Sequence, residues 1–575
     1  MAVSLDKVCD LADSAVNGIE LKYLRSNPWK TLAYSVVAGY AIPKIYSTWK
    51  DTNWKHLYYN TEWRNLPWKK IGATKGYEVA MQVPILRGIV AAKVQQQLQP
   101  HERQFNQEVE DAIESAPIVA LPDHGYGREV VQGLIPQGAS AAAYDPAKVS
   151  GVFYGPTDDP ELKALHDAML SQFATQNPLH PELSPSLGEM ERQLIRWCGN
   201  LFGLDRAYGC VTSGGTESLL LVAYSAFKAG KARGIQKPNI VMPITGHSAF
   251  NKASDYFGIT IRTVPVTQEG KVEPWRMKVA MDHNTILVVA SAPSYAYGII
   301  DPVEEIAAIA QSADVPCHVD CCLGGFVLPW LKKDGDEQVP NFDFSIPGVT
   351  SMSADTHKFG YAPKGSSIIL YREKEMYQRQ IFTDPEWNGG KNTTPTFQGS
   401  RSGSPIATAW ATMLYIGVDG YTYAAKNIAH ATRELTRRCK ETYTDSIEVI
   451  GDPITNVVAF RSNLEHWGAK DIWKVSTVMK RDHGWQLSAL QNPPAFHMCI
   501  TRRHASTREA ADSFVDSFVA DLSAAVEKVK TDPSIQIEGT AKAYGGTMEL
   551  PPAIVTQALQ SYMTAQTSHF KPSRP

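Results

Sequence analysis

The chain has 575 residues, which is long enough for a large core with smaller domains attached, and its content of 43% hydrophobic and 20% charged residues is ordinary for a globular protein. A formal net charge of −3 argues against the basic excess of a nucleic-acid-binding protein. The eight cysteines include no C-x-x-C pair, so we interpret them as reduced thiols and expect neither a disulfide framework nor a zinc site.

An uncharged segment near the N-terminus, Thr31–Pro43, is framed by tryptophan, tyrosine and lysine. A helix that spans a membrane needs about 20 apolar residues, and this segment is long enough only if residues 28–49 are taken together, with the lysines at its ends at the membrane surface. The lysines and arginines that follow would place the rest of the chain in the cytosol. A single transmembrane helix within residues 1–60 is one interpretation, and a buried or amphipathic helix is the other. Residues 61–147 are expected to form a helical linker.

The middle of the chain alternates short apolar runs with helical patterns. Strands are predicted at 239–244, 285–291, 316–319 and 366–371, and a helix at 303–313. Because such alternation is typical of parallel sheets covered by helices, we predict an α/β fold with a mostly parallel central sheet. Residues 148–420 are expected to form this large domain.

The pattern changes after about Tyr421, where a smaller α+β domain is predicted over residues 421–575. Helices are predicted near 423–444 and 471–483, and strands near 456–460 and 494–501. A long helix is predicted from Ser506, because Ser506 and Glu509 have the spacing of a capping box.

A glycine pair, Gly214-Gly215, precedes a helical run in the middle of the chain. Backbone N–H groups at such a helix start can hold an anion, and the hydroxyls of Ser213 and Thr216 could add donors. The pair therefore indicates a phosphate site, although glycines before a helix more often form only a turn.

Three further residues follow in an order that suits one cofactor. Asp320 ends a predicted strand, where a carboxylate can keep a pyridine nitrogen protonated. Lys358 lies in the motif SADTHKFG. His247 follows another strand and could stack on a pyridine ring, or be an ordinary core histidine. Each signal is weak alone, but together they predict pyridoxal phosphate (PLP) bound to Lys358.

Longer stretches carry a family resemblance: NPLHPELSP, VTSGGTESLLL, HVDCCLGGF, SADTHKFGYAPKGSS and FQGSRSGSPIATAWATM. They are similar to the group II PLP decarboxylase superfamily of fold type I and, within it, to the sphingosine-1-phosphate lyases. The resemblance extends from about Lys148 to the end. It implies retro-aldol cleavage of phosphorylated long-chain sphingoid bases to a long-chain aldehyde and phosphoethanolamine. It also implies a single-pass anchor in the endoplasmic reticulum membrane, with the catalytic domain in the cytosol.

The resemblance implies a role for each matching residue. Lys358 would form the Schiff base, Asp320 would pair with the pyridine nitrogen, and His247 would stack on the ring. The remaining cofactor contacts would be Gly215 and Thr216 at the phosphate, His357 beside the lysine, and Gly399 and Ser400 from the partner subunit of an obligate homodimer. The substrate would meet Tyr154, Asn177, His180, Lys364 and Tyr295, with Lys358 and Tyr154 as alternatives for the general base.

The chain departs from the family in Ala292–Gly298, which reads APSYAYG. Many members have proline where this chain has Ala296 and histidine where it has Tyr297. Because the segment is expected to edge the pocket, a related PLP enzyme with another substrate is the alternative, either an amino-acid decarboxylase or a carbon–carbon bond-forming enzyme. A non-catalytic scaffold would be expected to have lost Lys358 or Asp320, and both are present.

Overall fold

The computed structural model describes residues 124–133, 145–156, 159–539, 541–542 and 552–567. The chain forms two compact units, one of residues 1–135 and 546–575 and the other of residues 136–545. In the first unit the described residues form helices α1 (Arg128–Gly133) and α13 (Pro552–Thr567). The predicted membrane segment 28–49 lies outside the described residues. None of the helices within the described ranges combines the length and apolar character of a bilayer span.

A seven-stranded sheet forms the centre of the described part of the second unit. Its strands are β1 (Tyr208–Thr212), β2 (Asn239–Pro243), β3 (Thr260–Val264), β4 (Thr285–Ser291), β5 (Cys317–Asp320), β6 (Val349–Ala354) and β7 (Ser367–Tyr371). They lie in the order β1-β7-β6-β5-β4-β2-β3, with parallel pairing except at β7. The predicted α/β fold with a mostly parallel sheet is confirmed, and the four predicted strands agree to within one residue at each end.

The central strands are apolar because helices cover both faces of the sheet. All residues of β4 (TILVVAS) are buried, for example. Among the described residues of this unit, the α-helices include α2 (Pro160–Phe173), α3 (Pro185–Leu201), α4 (Gly215–Ala232), α5 (Ala249–Phe257), α6 (Pro274–Ala280), α7 (Val303–Ser312), α8 (Leu328–Lys333), α9 (Lys374–Gln380), α10 (Ser404–Thr442), α11 (Asp471–His483) and α12 (Arg508–Thr531).

Strand direction brings the functional motifs to one edge of the sheet. Because β7 is antiparallel to both β1 and β6, all strands of this sheet except β7 run the same way. Ligands of open α/β sheets bind in the crevice at the carboxyl ends of such strands. The segments that leave this edge are 213–215 after β1, 244–248 after β2, 292–298 after β4, 321–322 after β5 and 355–358 after β6.

A smaller antiparallel sheet follows in the chain. Its strands, in the order β10-β11-β13-β12, are β10 (Ile447–Val449), β11 (Val457–Ser462), β12 (Ser488–Leu490) and β13 (Ala495–Cys499). A hairpin of β8 (Phe382–Asp384) and β9 (Asn392–Thr394) lies outside both sheets.

Two helices differ from the sequence prediction. The helix predicted near 423–444 is the second half of α10, which is interrupted by Gly417 at a φ of 63°. The capping box predicted at Ser506 and Glu509 is wrong by one residue. The cap of α12 is Thr507, whose side chain accepts a hydrogen bond from the backbone N–H of Ala510 at 3.1 Å. Adjacent Ser and Thr both suit an N-cap, so spacing alone did not separate them.

Candidate active site

Lys358 lies in the turn that follows β6, and its closest charged partner is Asp355. The ammonium Nζ is 2.8 Å from Oδ2 of this aspartate, whose side chain is only 2% exposed. Burial alone would lower the pKa of Lys358, but the Asp355 carboxylate outweighs burial and raises the pKa above its ordinary value. Burial would likewise raise the pKa of Asp355, yet the positive charge of Lys358 holds it below its usual range. The two groups therefore form a buried ion pair.

The predicted phosphate loop packs directly against this ion pair. A Cβ added to Gly215 would lie 2.8 Å from Oδ1 of Asp355 and 2.8 Å from Sγ of Cys322. A Cβ added to Gly214 would lie 3.3 Å from Cε1 of His357. Any side chain at Gly215 would displace the groups around the lysine, so the start of α4 and the lysine turn form one continuous surface.

Ser213, which was predicted to offer its hydroxyl to a phosphate, donates to Glu217 in this structure. Both its backbone N–H and its hydroxyl donate to Oε2 of Glu217, each at 2.7 Å, and a hydroxyl has one proton to donate. Oε1 of the same buried glutamate accepts from the backbone N–H of Phe397 at 3.1 Å. Glu217 thus ties the glycine loop to the segment that contains Gly399. Thr216, predicted as the other donor, is exposed at the start of α4.

Asp320, at the end of β5, is held by a buried polar network. Its Oδ1 accepts from the backbone N–H of Cys322 at 3.0 Å and from the hydroxyl of Ser353 at 3.5 Å. The imidazole of His318 lies behind them, 3.2 Å from Oγ of Ser353 and 2.9 Å from Oγ of Ser351. Burial lowers the pKa of His318 to about 4 even though Asp320 opposes the shift. The neutral imidazole of His318 therefore hydrogen-bonds to Ser353, which in turn donates to the carboxylate of Asp320.

Tyr154 reaches the lysine from a segment that is tied to the smaller sheet. The backbone N–H of Gly151 donates to the carbonyl of Cys499, in β13, at 3.0 Å. The Tyr154 ring packs edge-on against Phe359 at 5.1 Å, and Nζ of Lys364 lies 4.8 Å from the ring centre. Burial, and to a lesser extent Cys499, raises the pKa of Tyr154 well above its ordinary value. Tyr154 is therefore a neutral phenol beside a lysine ammonium.

The other predicted substrate residues lie in a more exposed group. The side-chain N–H of Asn177 donates to Oγ of Ser400 at 3.1 Å. Gly399 is exposed. His180 is also exposed, and its Nδ1 is 3.3 Å from Oε1 of Glu182. Asn177 and His180 thus make these side-chain hydrogen bonds with Ser400 and Glu182.

His247 stands just after β2, at the sheet edge where it was predicted. Its Nδ1 accepts from the backbone N–H of Ala249 at 3.1 Å. An imidazole that accepts at Nδ1 carries its proton on Nε2 when neutral. The start of α5 therefore fixes the orientation of the ring.

The segment 292–298 is anchored to the smaller sheet. Nδ1 of His497, in β13, lies 3.0 Å from the carbonyl oxygen of Ala296, and the Tyr295 ring meets the imidazole edge-on at 4.8 Å. Burial lowers the pKa of His497 to about 4, so a neutral ring donates this hydrogen bond. Tyr297 is 7% exposed and packs in a core cluster with Ile299. The tyrosine that departs from the family pattern is therefore part of the core.

Sequence reasoning missed three residues of this site: Asp355, Glu217 and His318. Each stood in a motif that had already been singled out. Asp355 is one turn before Lys358, Glu217 is four residues after Ser213, and His318 shares a strand face with Asp320. The available signal was this spacing, because residues three or four apart in a turn, or two apart in a strand, face the same side.

Comparison with known proteins gives three agreeing results. Residues 156–463 match the family model of the pyridoxal-dependent decarboxylase conserved domain. The Drosophila melanogaster sphingosine-1-phosphate lyase is 37% identical over 487 residues, which are 84% of this chain and 86% of that protein. The Arabidopsis thaliana enzyme of the same name is 38% identical over 455 residues, which are 78% of this chain and 80% of that protein.

Solved structures agree with these relatives. A Burkholderia pseudomallei sphingosine-1-phosphate lyase superposes with a TM-score of 0.67 at 33% identity, covering 78% of this chain and 98% of that one. A Lactobacillus brevis glutamate decarboxylase shares the fold, with a TM-score of 0.61 at 19% identity over 72% of this chain and 96% of that one. Fold and family model together define the class of PLP-dependent decarboxylase-like enzymes. Within that class, the chain belongs to the sphingosine-1-phosphate lyase family.

The residues at the sheet edge fit PLP, the cofactor of this class. A lysine amine, a strand-end carboxylate at Asp320 and a helix start with backbone N–H groups lie along one edge of the sheet. The helix start is free of side-chain bulk at Gly214 and Gly215, where a Cβ would intrude on the lysine cluster. These partners suit the three functional groups of PLP: the amine suits its aldehyde, the carboxylate its pyridine nitrogen and the helix start its phosphate.

Proposed function

We propose that the chain cleaves sphingosine 1-phosphate, sphinganine 1-phosphate and related phosphorylated sphingoid bases to a long-chain aldehyde and phosphoethanolamine. The relatives named for this substrate cover most of the chain at 37% and 38% identity. The observation that carries the proposal is the buried Lys358–Asp355 pair packed against the Gly214-Gly215 loop. That arrangement suits a cofactor bound through an amine at one end and a phosphate at the other.

Within this proposal, Lys358 would hold PLP covalently through its amine, Asp320 would pair with the pyridine nitrogen and His247 would stack on the ring. When bound, PLP supplies an electron sink for the pair released by carbon–carbon cleavage. The phosphate of the cofactor would be held by Gly215 and Thr216, beside His357. The buried network behind Asp320 supports its role, because a fixed carboxylate keeps a nearby ring nitrogen protonated.

The substrate residues are proposed as Tyr154, Lys364, Asn177, His180 and Tyr295. Lys364 is exposed above the Tyr154 ring, where an ammonium suits the substrate phosphate. Lys358 and Tyr154 were alternatives for the general base, and the pKa of each is raised. Both therefore keep their protons at neutral pH, and either would act as a base only after losing its proton.

We also propose a homodimer in which Gly399 and Ser400 complete the partner's cofactor site. Large apolar side chains are exposed just before these residues, including Phe382 at 49%, Trp387 at 57% and Phe397 at 51%. Exposed apolar groups of this size favour a protein interface. Light scattering of the purified chain should give twice the monomer mass, and a monomer at micromolar concentration would contradict the proposal.

A single-pass anchor over residues 28–49, in the endoplasmic reticulum membrane with the catalytic unit in the cytosol, completes the proposal. Its support is the uncharged segment and the lysine-rich sequence after it. The expressed chain should stay in the membrane pellet after alkaline carbonate extraction, and a chain beginning at residue 61 should not.

The first test is an assay on the purified full-length protein with sphinganine 1-phosphate. We expect the visible absorption of lysine-bound PLP to change on mixing, and both the long-chain aldehyde and phosphoethanolamine to appear. Unphosphorylated sphinganine is the matched control and should react far more slowly. PLP absorption without cleavage would instead favour the alternative of a related PLP enzyme with another substrate.

A further inference from the structure

Asp355 has no assigned role, yet it makes the closest charged contact to Lys358. We propose that Asp355 is a positioning residue that holds the Lys358 amine as an ammonium, aimed at the cofactor site, whenever the lysine carries no covalent partner. The inference rests on the proposed role of Lys358 and deepens it. It names Asp355 as the neighbour that keeps the proton on the Lys358 amine.

The geometry of the contact is that of a close ion pair whose spacing is fixed by the backbone. The carboxylate and the ammonium are 2.8 Å apart. The backbone N–H of Lys358 donates to the carbonyl of Asp355 at 3.2 Å, so the turn itself fixes the spacing of the two side chains. Oδ1 of Asp355 is buried and makes no hydrogen bond with the described residues. Nε2 of His357 lies 3.7 Å from Oδ2, so the ammonium at 2.8 Å is the nearer of the two basic groups that face this carboxylate.

The surroundings leave Asp355 as the group that favours a charged lysine. The titratable groups that act on Lys358 or on its partner are Asp355, His357, Lys364, Cys322, Tyr154 and Cys499. Burial raises the pKa of Cys322, Cys499 and Tyr154, which keeps all three neutral. Burial lowers the pKa of His357, and the positive charge of Lys364 opposes an ammonium at Lys358.

This arrangement has a consequence for the reaction. Attachment of PLP through Lys358 would use the neutral amine, so the ammonium would first release one proton to solvent. When a substrate amine displaces Lys358, the freed lysine amine would take up the proton that the incoming substrate ammonium gives up. Asp355 would then hold the resulting ammonium in place, which keeps this proton within the site for return to the carbon that remains after cleavage.

The test uses the full-length protein freed of PLP. Trace acylation with an amine-specific reagent is run over a pH series, and the modified peptides are quantified by mass spectrometry. Asp355→Asn keeps the side-chain shape but removes the charge, so the midpoint for Lys358 should fall by about 1–3 pH units. Lys426, which pairs with Asp334 at 2.8 Å, serves as an internal reference in the same digest.

Two further variants separate charge from shape. Asp355→Glu should restore most of the wild-type midpoint, and Cys322→Ser should leave it within a few tenths of a unit. Thermal unfolding of each variant checks that the fold persists. An unchanged Lys358 midpoint in folded Asp355→Asn would overturn the proposal. Failure of the wild-type protein to bind PLP would instead overturn the proposed function and leave the acylation result standing.

Discussion

The candidate site has two regions that differ in how they are held. The site floor consists of Lys358, Asp355, Asp320 and Gly215, at the carboxyl ends of central strands. Asp320 and Asp355 are buried, whereas the Lys358 side chain is 20% exposed, and each member contacts another member or the backbone beside it.

The site rim consists of Asn177, His180, Ser400 and Tyr295, which is the exposed residue of the segment 292–298. These residues lie on loops, and His180, Ser400 and Tyr295 are exposed. The contrast indicates that the fold organises the cofactor chemistry by itself, whereas the rim is left to be completed by substrate and partner.

The largest effect should come from removing the centre of the floor. Lys358→Ala deletes the amine that would bind PLP, so turnover should fall by several orders of magnitude and the absorption of bound PLP should vanish. The thermal unfolding transition should remain, because neighbouring strands are buried independently of this side chain. Lys426→Ala removes an exposed lysine and is the matched control. Lysine-type PLP absorption in Lys358→Ala would disprove the assignment.

A smaller effect is expected at Glu217, where the floor joins the rim. Glu217→Gln removes the charge that accepts two hydrogen bonds from Ser213, and such bonds contribute about 1.5–3 kcal/mol. PLP affinity should therefore fall about 10- to 100-fold, measured by fluorescence titration. The exposed Glu189→Gln is the control. Unchanged affinity would show that the loop holds its shape without Glu217.

Beneath the floor, His318 should make stability depend on pH. Its pKa falls from an ordinary 6.5 to about 4 on folding, so the unfolded chain takes up the proton first as the pH drops. The contribution of neutral His318 to the free energy of unfolding is therefore fully present above pH 6.5, and about 2 kcal/mol of it is lost by pH 5. In His318→Gln, the fall in unfolding free energy between pH 7 and pH 5 should shrink by about that amount. An identical fall in both proteins would mean that the imidazole is charged in the native state.

The sequence predicted the floor better than the rim for a physical reason. Lys358 and Asp320 follow apolar strands whose direction is readable, and residues at parallel strand ends meet at one edge. Asp355 was overlooked because an acid near a lysine in sequence reads as an ordinary surface pair. The family departure at Tyr297 was expected at the pocket edge, but the side chain packs beside Ile299 under the smaller sheet. That packing depends on contacts distant in sequence, which local patterns do not encode.

The smallest effect is expected at the rim, through the anchor of segment 292–298. His497→Phe preserves a ring beside Tyr295 but removes the donor to the Ala296 carbonyl. One neutral hydrogen bond contributes about 0.5–1.5 kcal/mol, so KM for the phosphorylated substrate should rise about 2- to 10-fold.

In this variant kcat should stay nearly constant, because the floor is untouched and only the position of Tyr295 is loosened. The exposed His466→Phe is the control and should change neither constant. A large fall in kcat with unchanged KM would place segment 292–298 in the chemical step. The distinction between site floor and site rim would then be wrong, because His497, a residue of the smaller sheet, would affect the chemistry at Lys358.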